Sequence, residues 1–291
     1  MNHLFRELAP VSAAGWAKIE GEATQTLKTM LAGRKLVDFS GPQGWQAACV
    51  ATGRSDPVTP PLAGDVQARL RRVLPLAELR VAFDMRRSEL DALDRGAKDV
   101  DTDPVVAAAR KIAIAEDHAI FHGYAAAGIR GLCEVPRPGS PGGGSPGAGA
   151  AEPALSLGGD LESYPVLIAA ALNRLRDRGV NGPYAVALSE RCYTDLTDAT
   201  RAGYPVLEHV RRLLDGPLVW APGLDGAVAL SLRGGDFELT VGEDFSVGYL
   251  GHDSEHVRLY IEESFTFWNI TPQAAVPLVG RAGALVHATT A

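Results

Sequence analysis

The chain has 291 residues, with 28 basic and 35 acidic side chains and a formal net charge of −7 at pH 7. Hydrophobic residues make up 46% of the chain, which is enough apolar material for a folded core and excludes a protein that is disordered throughout. The acidic balance argues against a protein that binds nucleic acid by neutralising phosphates.

Cysteine usage and the N-terminus bear on the cellular location. Cys49, Cys133 and Cys192 stand far apart, which fits a reducing compartment and argues against a disulfide scaffold or a cysteine zinc site. Charged residues occur within the first seven positions, with no apolar run of a signal peptide. No apolar stretch is long enough to cross a bilayer. We therefore expect a cytoplasmic protein without a membrane partner.

The first elements are a helix and a short strand. A 3.6-residue apolar stripe predicts a helix within residues 4–32, with Ser12 as N-cap for the part after Pro10. Gly33 is expected to end that helix, as glycine often does. Alternation over residues 33–39 then predicts a strand.

Residues 45–78 form an unusual excursion. Strand-like ends at 47–52 and 73–81 enclose a polar segment that contains Pro57, Pro60 and Pro61. Two interpretations remain open from the residues alone: an extended arm that packs against something else, or a mobile surface hairpin.

The clearest helix begins at Asp103, the expected N-cap, with Pro104 in the first helical position. It is predicted to run roughly 25 residues towards Gly128, longer than most globular helices, as suits a spine beneath a sheet. Residues 136–150 consist mainly of glycine, proline, serine and alanine, which predicts a flexible surface insertion.

The second half mixes helices with antiparallel strands. One helix is predicted at 163–178 and another begins at 189. After a break at Gly203-Tyr204-Pro205, a third helix runs to 214. Strands are predicted at 184–188, 218–220, 227–232, 237–241, 245–250 and 257–262. Because strands and helices do not alternate as βαβ units, the fold class is α+β.

Motifs of catalytic chemistry are scarce. The chain has no phosphate-binding glycine loop and no Gly-x-Ser-x-Gly elbow. His118 and His122 lie four residues apart on one predicted helix face, as zinc-binding pairs do, but Ala119 stands where a hydrolytic zinc motif needs glutamate. A pair on the helix surface is the favoured interpretation, so we expect no catalytic residues and no metal.

Several segments in order resemble the encapsulin shell proteins, a family of bacterial nanocompartment proteins also known as linocin-like bacteriocins. The resemblance runs from Leu4 to about Leu278. It is carried by Leu8-Ala9-Pro10 with Trp16, Gly33-Arg34-Lys35-Leu36-Val37-Asp38, Leu74-Pro75-Leu76-Ala77-Glu78-Leu79-Arg80, Glu89-Leu90-Asp91-Ala92-Leu93-Asp94-Arg95-Gly96, Glu116-Asp117 with Ile120-Phe121, Gly182-Pro183-Tyr184, Gly203-Tyr204-Pro205, Arg233-Gly234-Gly235-Asp236-Phe237, Ser246-Val247-Gly248-Tyr249, Val257-Arg258-Leu259-Tyr260 and Glu263-Ser264-Phe265-Thr266-Phe267.

This resemblance implies the fold of the Hong Kong 97 phage major capsid protein, with a peripheral domain, an axial domain and an extended loop. The parts that it implies are an N-terminal helix and cargo-facing segment (1–42), the extended loop (43–78), the peripheral domain with the spine helix (79–135), the flexible insertion (136–152), the axial domain (153–232), the return strands of the peripheral domain (233–270) and a C-terminal tail (271–291).

The function that it implies is structural. Many copies would assemble into an icosahedral shell, expected to be of the T=1 class, around cargo enzymes such as a peroxidase or a ferritin-like protein. A short C-terminal targeting peptide would capture the cargo. The alternatives are a phage-derived major capsid protein and, less favoured, a metal-dependent hydrolase that uses His118 and His122.

Two sites follow from the resemblance. The cargo-peptide groove is expected where the N-terminal helix meets the peripheral domain, at Arg34, Asp38, Leu36, Leu8, Trp16, Ile19 and Val247. The alternative for Arg34 and Asp38 is that they only tie the helix to the sheet. A pore loop is expected at the fivefold axis, formed by Thr200, Arg201, Ala202, Gly203, Tyr204 and Pro205.

The chain also departs from the family. The glycine-rich insertion and the tail beyond Leu278 have no counterpart in the pattern. Some relatives bind flavin on an aromatic residue near Glu89-Leu90-Asp91, but Arg86, Arg87 and Ser88 provide no ring here. We therefore expect no cofactor.

Overall fold

The computed structural model describes residues 3–134, 155–157, 163–201 and 204–279. The predicted insertion at 136–152 lies outside the described residues, as do Ala202, Gly203 and residues 280–291. The helices are α1 (Ala13–Met30), α2 (Arg87–Asp94), α3 (Asp103–His122), α4 (Tyr164–Asp177), α5 (Glu190–Asp198) and α6 (Val206–Arg211). The strands are β1 (Asp38–Ser40), β2 (Cys49–Ala63), β3 (Val66–Pro75), β4 (Ala77–Arg86), β5 (Leu155–Ser156), β6 (Tyr184–Leu188), β7 (Thr200–Arg201), β8 (Tyr204–Pro205), β9 (Leu218–Trp220), β10 (Ala227–Ser231), β11 (Phe237–Val241), β12 (Ser246–His252), β13 (His256–Asn269) and β14 (Ala275–Val279).

Helix α1 begins where its cap predicts. The Ser12 hydroxyl oxygen accepts the backbone N–H of Gly15 at 3.0 Å, so the N-cap prediction is confirmed. The prediction that Gly33 ends the helix is wrong, because the helix ends at Met30 and Gly33 begins a short 3₁₀ turn. The lack of a side chain at Gly33 matters for another reason: a Cβ would lie 2.5 Å from Ile120 Cδ1 on α3, so that side chain would have to move. The strand predicted at 33–39 is reduced to β1.

Helix α3 is shorter than predicted. Thr102 is its N-cap and Asp103 is its first residue, and its 20 residues span about 30 Å. The helix stops at Gly123, whose φ of +84° is unfavourable for other residues. A Cβ there would also lie 2.9 Å from backbone atoms of Ile129 and Gly131, because the chain turns back against the helix end.

The first sheet is centred on β13. Its order is β1-β11-β13-β12, and β4 also pairs with β13 along ten register positions from His256 and Arg86 to Phe265 and Ala77. Strand β1 pairs with β11 in parallel. One core of buried side chains lies between this sheet, α1 and α3, with Ile19, Met85 and Ile112 among its members.

The second sheet has the order β5-β14-β10-β6-β9. Every residue of β6 and β10 is buried, and α4 packs on this sheet through Ile168 and Leu175. Strand β14 lies within the segment that the sequence analysis assigns to a C-terminal tail. It pairs with β10 because Ala275, Val276 and Leu278 are apolar and buried.

Strands β2 and β3 form a long antiparallel hairpin whose side chains are mostly exposed. Within the predicted extended loop of residues 43–78, residues 49–75 form a two-stranded ribbon. Neither hydrophobic core includes a residue of the ribbon. An isolated two-stranded ribbon is only marginally stable in water. Further contacts are therefore needed to hold this arm in an extended form.

Candidate functional site

Arg34, a predicted cargo residue, lies among carboxylates. Its Nη2 donates to Glu116 Oε2 at 2.6 Å and to Glu263 Oε2 at 3.1 Å, and its Nη1 donates to Asp244 Oδ1 at 2.8 Å. The Glu116 and Glu263 side chains are fully buried. The guanidinium also lies 4.6 Å from the ring centre of Phe245, within cation–π range. Arg34 thus links the end of α1 to α3 and β13.

Burial controls the protonation of this cluster. Desolvation, followed by repulsion from Glu116, raises the pKa of Glu263 well above its ordinary value. The Oε1 atom of Glu263 is buried and finds no hydrogen-bond partner among the described residues. Although burial alone would lower it, the hydrogen bond and attraction from Glu116 raise the pKa of Arg34. The arginine therefore stays charged.

Asp117, next to Glu116 on α3, holds the turn before β1. Its two carboxylate oxygens accept the backbone N–H groups of Ala32 at 2.9 Å and Gly33 at 2.8 Å. Burial raises the pKa of Asp117 to about 7, although these two hydrogen bonds oppose the shift. No role of Glu116, Asp117 or Glu263 is predicted from the sequence. The available signal was a pair of acids inside the otherwise apolar run of α3.

Asp38 and Leu36 line a cavity of about 170 Å³ beside β1. Asp38 Oδ2 accepts the N–H of Gly235 at 2.6 Å, so the carboxylate holds the turn before β11. Leu36 is buried, whereas Phe39 on β1 is 43% exposed. The other lining residues are Lys35, Val37, Ser231, Leu232, Gly234, Asp236 and Phe237.

The remaining predicted groove residues lie around Arg6. Its Nε donates to the carbonyl oxygen of Val247 at 2.7 Å, and its guanidinium stacks on Trp16 at 4.9 Å. Leu8 is 56% exposed, whereas Ile19 and Val247 are buried in the core and present no side-chain wall. The predicted set therefore forms two groups, one at the cavity and one around Arg6.

Phe245 contacts both Arg34 and the core beneath the first helix. Its ring contacts Arg34, and its side chain packs against the core that contains Ile19 and Val247. Of the apolar side chains in these segments, Leu8 and Phe39, the neighbour of Asp38, are exposed.

The predicted pore loop is described only in part. Thr200 pairs with Pro205 and Arg201 with Tyr204, so β7 and β8 form a small hairpin that brings the two ends of the loop together. Ala202 and Gly203 at its tip lie outside the described residues.

The two histidines of α3 are close, with ring centres 4.9 Å apart. His122 Nε2 accepts the N–H of Asp225 at 3.0 Å, so that nitrogen is not free to bind a metal. Burial lowers the pKa of His122. In the described part of the chain, no group of three or more histidine, cysteine or acidic residues is arranged to hold a metal ion.

The hairpin carries the two most exposed large apolar side chains of the described residues, those of Leu62 and Leu70. Leu62 is 86% exposed, Leu70 69%, Val66 56% and Val58 45%.

Separately, none of the described helices is long and apolar enough to span a membrane.

Comparisons with known proteins agree with this geometry. A family model described as an encapsulating protein for peroxidase matches residues 1–266. A type 1 encapsulin shell protein of Rhodospirillum rubrum is 52% identical, and the match covers 99% of this chain and 100% of the relative. A type 1 encapsulin shell protein of Mycobacterium tuberculosis is 46% identical, over 96% and 99% of the two chains.

Solved structures give the fold. A virus-like particle from Pyrococcus furiosus matches with a TM-score of 0.60 at 12% identity, over 90% of this chain and 98% of that chain. The capsid of an empty GTA particle matches with a TM-score of 0.51 at 17% identity, over 87% and 90%. The predicted α+β, capsid-like fold is confirmed. The chain belongs to the family of encapsulating proteins for peroxidase, and its relatives include type 1 encapsulin shell proteins.

Proposed function

We propose that this chain is a structural shell subunit, without catalytic activity, that assembles with many copies of itself into an icosahedral compartment of the T=1 class. The observation that carries the proposal is the β2–β3 hairpin. It exposes Leu62, Leu70 and Val66, and it has no core of its own. Exposed apolar ribbons of this kind are stable when a partner covers them.

The test is particle size. Gel filtration and negative-stain microscopy of the purified protein are expected to show closed particles of megadalton mass. A monomer or dimer at micromolar concentration in native buffer would overturn the proposal.

A variant tests the hairpin directly. Leu70→Asp places a charge on the exposed apolar face, and we expect subunits that keep native circular dichroism but no longer form particles. Val166→Asp, on the exposed side of α4, introduces the same charge at a similarly exposed apolar position outside the hairpin. Normal particles from Leu70→Asp would show that this face of the hairpin is not needed.

We propose that the shell encloses a peroxidase, with a ferritin-like enzyme as the second candidate, in the bacterial cytoplasm. The description of the family as encapsulating a peroxidase supports the first choice. We place the docking site of the cargo's C-terminal targeting peptide at the predicted groove, around the cavity of Asp38 and Leu36 and the exposed Leu8. Apolar side chains of the peptide would meet Phe39 and Leu8, while Asp38 and Lys35 offer polar contacts.

Co-expression tests the groove. A peroxidase with its native C-terminus should co-purify with the particles, and its truncated form should not. Leu8→Ser and Asp38→Asn are expected to lower the cargo per particle without changing particle size, because the amide oxygen of the introduced asparagine can still accept the N–H of Gly235. Unchanged loading in both variants would overturn this placement, and mass spectrometry of native particles would identify a ferritin-like cargo.

We also propose that residues 200–205 surround an opening at the fivefold axis. The short β7–β8 pairing supports this, because Thr200 lies opposite Pro205 and Arg201 opposite Tyr204, which brings the two ends of the segment together. Arg201 would then disfavour cation passage. Ion flux into Arg201→Ala particles should rise relative to the unmodified shell, and equal flux would contradict the role of Arg201.

A further inference from the structure

The β2–β3 hairpin differs in charge from the rest of the chain. Residues 49–75 contain four arginines and two aspartates, whereas the rest of the chain contains 24 basic and 33 acidic residues and has a net charge of −9. A basic arm therefore extends from an acidic body. Any second copy of this chain presents a predominantly acidic surface to such an arm.

The strand register separates the hairpin into two faces. Residues that lie opposite each other in an antiparallel pair share a face. Arg71 lies opposite Ser55 and Arg69 opposite Pro57, so both arginines project from one side. The other side carries apolar pairs, with Val58 opposite Ala68 and Val50 opposite Leu74. We call the first side the arginine face and the second the apolar face.

The two faces differ in how their charges are paired. On the apolar face, Arg72 Nη2 donates to Asp56 Oδ1 at 2.6 Å, so that guanidinium is paired within the hairpin. On the arginine face, Arg69 bonds only neutral groups of Ser55, with Nε donating to its hydroxyl at 2.9 Å. Arg71 is exposed and has no carboxylate within ion-pair distance among the described residues.

We propose that Arg69 and Arg71 form ion pairs with exposed carboxylates of a second copy of this chain. This inference rests on the proposed shell function and adds a second contact to the burial of the apolar face. In an isolated subunit the apolar face of the hairpin is exposed to water and its arginine face lacks carboxylate partners. Contact with acidic copies of the chain would cover the first face and pair the second. The ion pairs set the salt dependence of assembly, because exposed charges are screened by salt whereas apolar burial is not.

Two double variants, each of which replaces two arginines by uncharged glutamines, test this proposal. The double variant Arg69→Gln, Arg71→Gln removes two charges from the arginine face and touches neither core. The control Arg110→Gln, Arg212→Gln removes two exposed charges elsewhere, on α3 and just after α6. Light scattering during reassembly of dissociated shells, at about 0.05 to 0.5 M NaCl, gives the critical concentration of subunits.

The unmodified protein and the control are expected to need more subunit as salt increases. The Arg69/Arg71 variant should need about tenfold more subunit at the lowest salt and show a flatter salt dependence. A salt dependence equal to that of the control would overturn the inference and leave the shell function intact. Failure of the unmodified protein to assemble would instead overturn the shell function. Loss of co-purifying nucleic acid in the variant, with unchanged assembly, would assign the arginine face to nucleic acid and refute the contact with a second copy.

Discussion

Arg34 pairs with two fully buried acidic side chains, those of Glu116 and Glu263. Removing one partner of a buried ion pair is costly because the other charge stays behind without compensation. We expect Arg34→Ala to lower the free energy of unfolding by about 3–5 kcal/mol near pH 8. Urea unfolding measures the loss.

Arg258→Ala is the matched control, because Arg258 pairs with Asp84 on an exposed surface. That variant should lose less than about 1 kcal/mol. An equally small loss in Arg34→Ala would show that the buried cluster does not need its arginine. Cargo loss in a destabilised Arg34→Ala shell would not by itself identify a peptide-binding residue.

Glu263 makes stability depend on pH. Its pKa is raised in the folded state, so between the ordinary glutamate value and the raised value the folded protein holds a proton that the unfolded chain has released. Stability therefore falls as pH rises through that window. We expect the thermal midpoint to fall as the pH rises above the ordinary glutamate pKa, and the fall to be smaller in Glu263→Gln.

Asp117 contributes with the same sign, up to its pKa of about 7. The Glu263→Gln variant should therefore keep a shallower decline below that pH and become flat above it. A pH profile identical to that of the unmodified protein would show that Glu263 does not hold the proton.

At the scale of single elements, the cap of α1 is open to a simple test. Ser12 accepts the N–H of Gly15 and donates to Asp94 Oδ1 at 2.5 Å. Ser12→Ala is expected to lower the free energy of unfolding by about 1 kcal/mol. Thr29→Ala, at an exposed position of the same helix, should change it by less than about 0.5 kcal/mol. Equal effects would exclude a specific capping role.

Local chemistry explains which element predictions succeeded. The Ser12 cap could be predicted because its partner lies three residues away. The end of α3 at Gly123 and the need for a small residue at Gly33 could not be assigned from local chemistry alone, because both depend on close contacts with residues distant in the sequence or packed back by a turn. Gly33 meets Ile120, and Gly123 meets Ile129 and Gly131.

The candidate site shows the same limit. Leu36 and Asp38 could be selected because the resemblance pointed to their segment, and both line the cavity beside β1. Glu263 was not foreseen because its role depends on a contact with Arg34 across 229 positions. The two-faced hairpin depends on strand register, which the sequence pattern did not give.

At the scale of the whole molecule, strands from distant parts of the chain share one sheet. Strand β14 covers one side of β10, although it follows the last strand of the first sheet. Truncation after Thr271 removes four buried side chains of the described residues, those of Ala274, Ala275, Val276 and Leu278, and exposes the backbone edge of β10. We expect an aggregated product without native near-UV circular dichroism.

Truncation after Val279 is the control, because it keeps β14 and every described contact. That product should stay soluble and form particles. A soluble, particle-forming product from the shorter truncation would show that β14 is dispensable.

The central position of β13 sets the order of events during synthesis. Strand β4 pairs with β13 from Ala77 and Phe265 to Arg86 and His256, so β4 has no partner until residues near the end of the chain have been made. Contacts of such large sequence separation form slowly. The hairpin, by contrast, closes from local contacts and emerges early with Leu62 and Leu70 uncovered. Each nascent subunit therefore exposes the apolar side chains of the hairpin before the rest of the chain has folded. Chains translated from the same messenger can associate incorrectly through these hairpins at that stage.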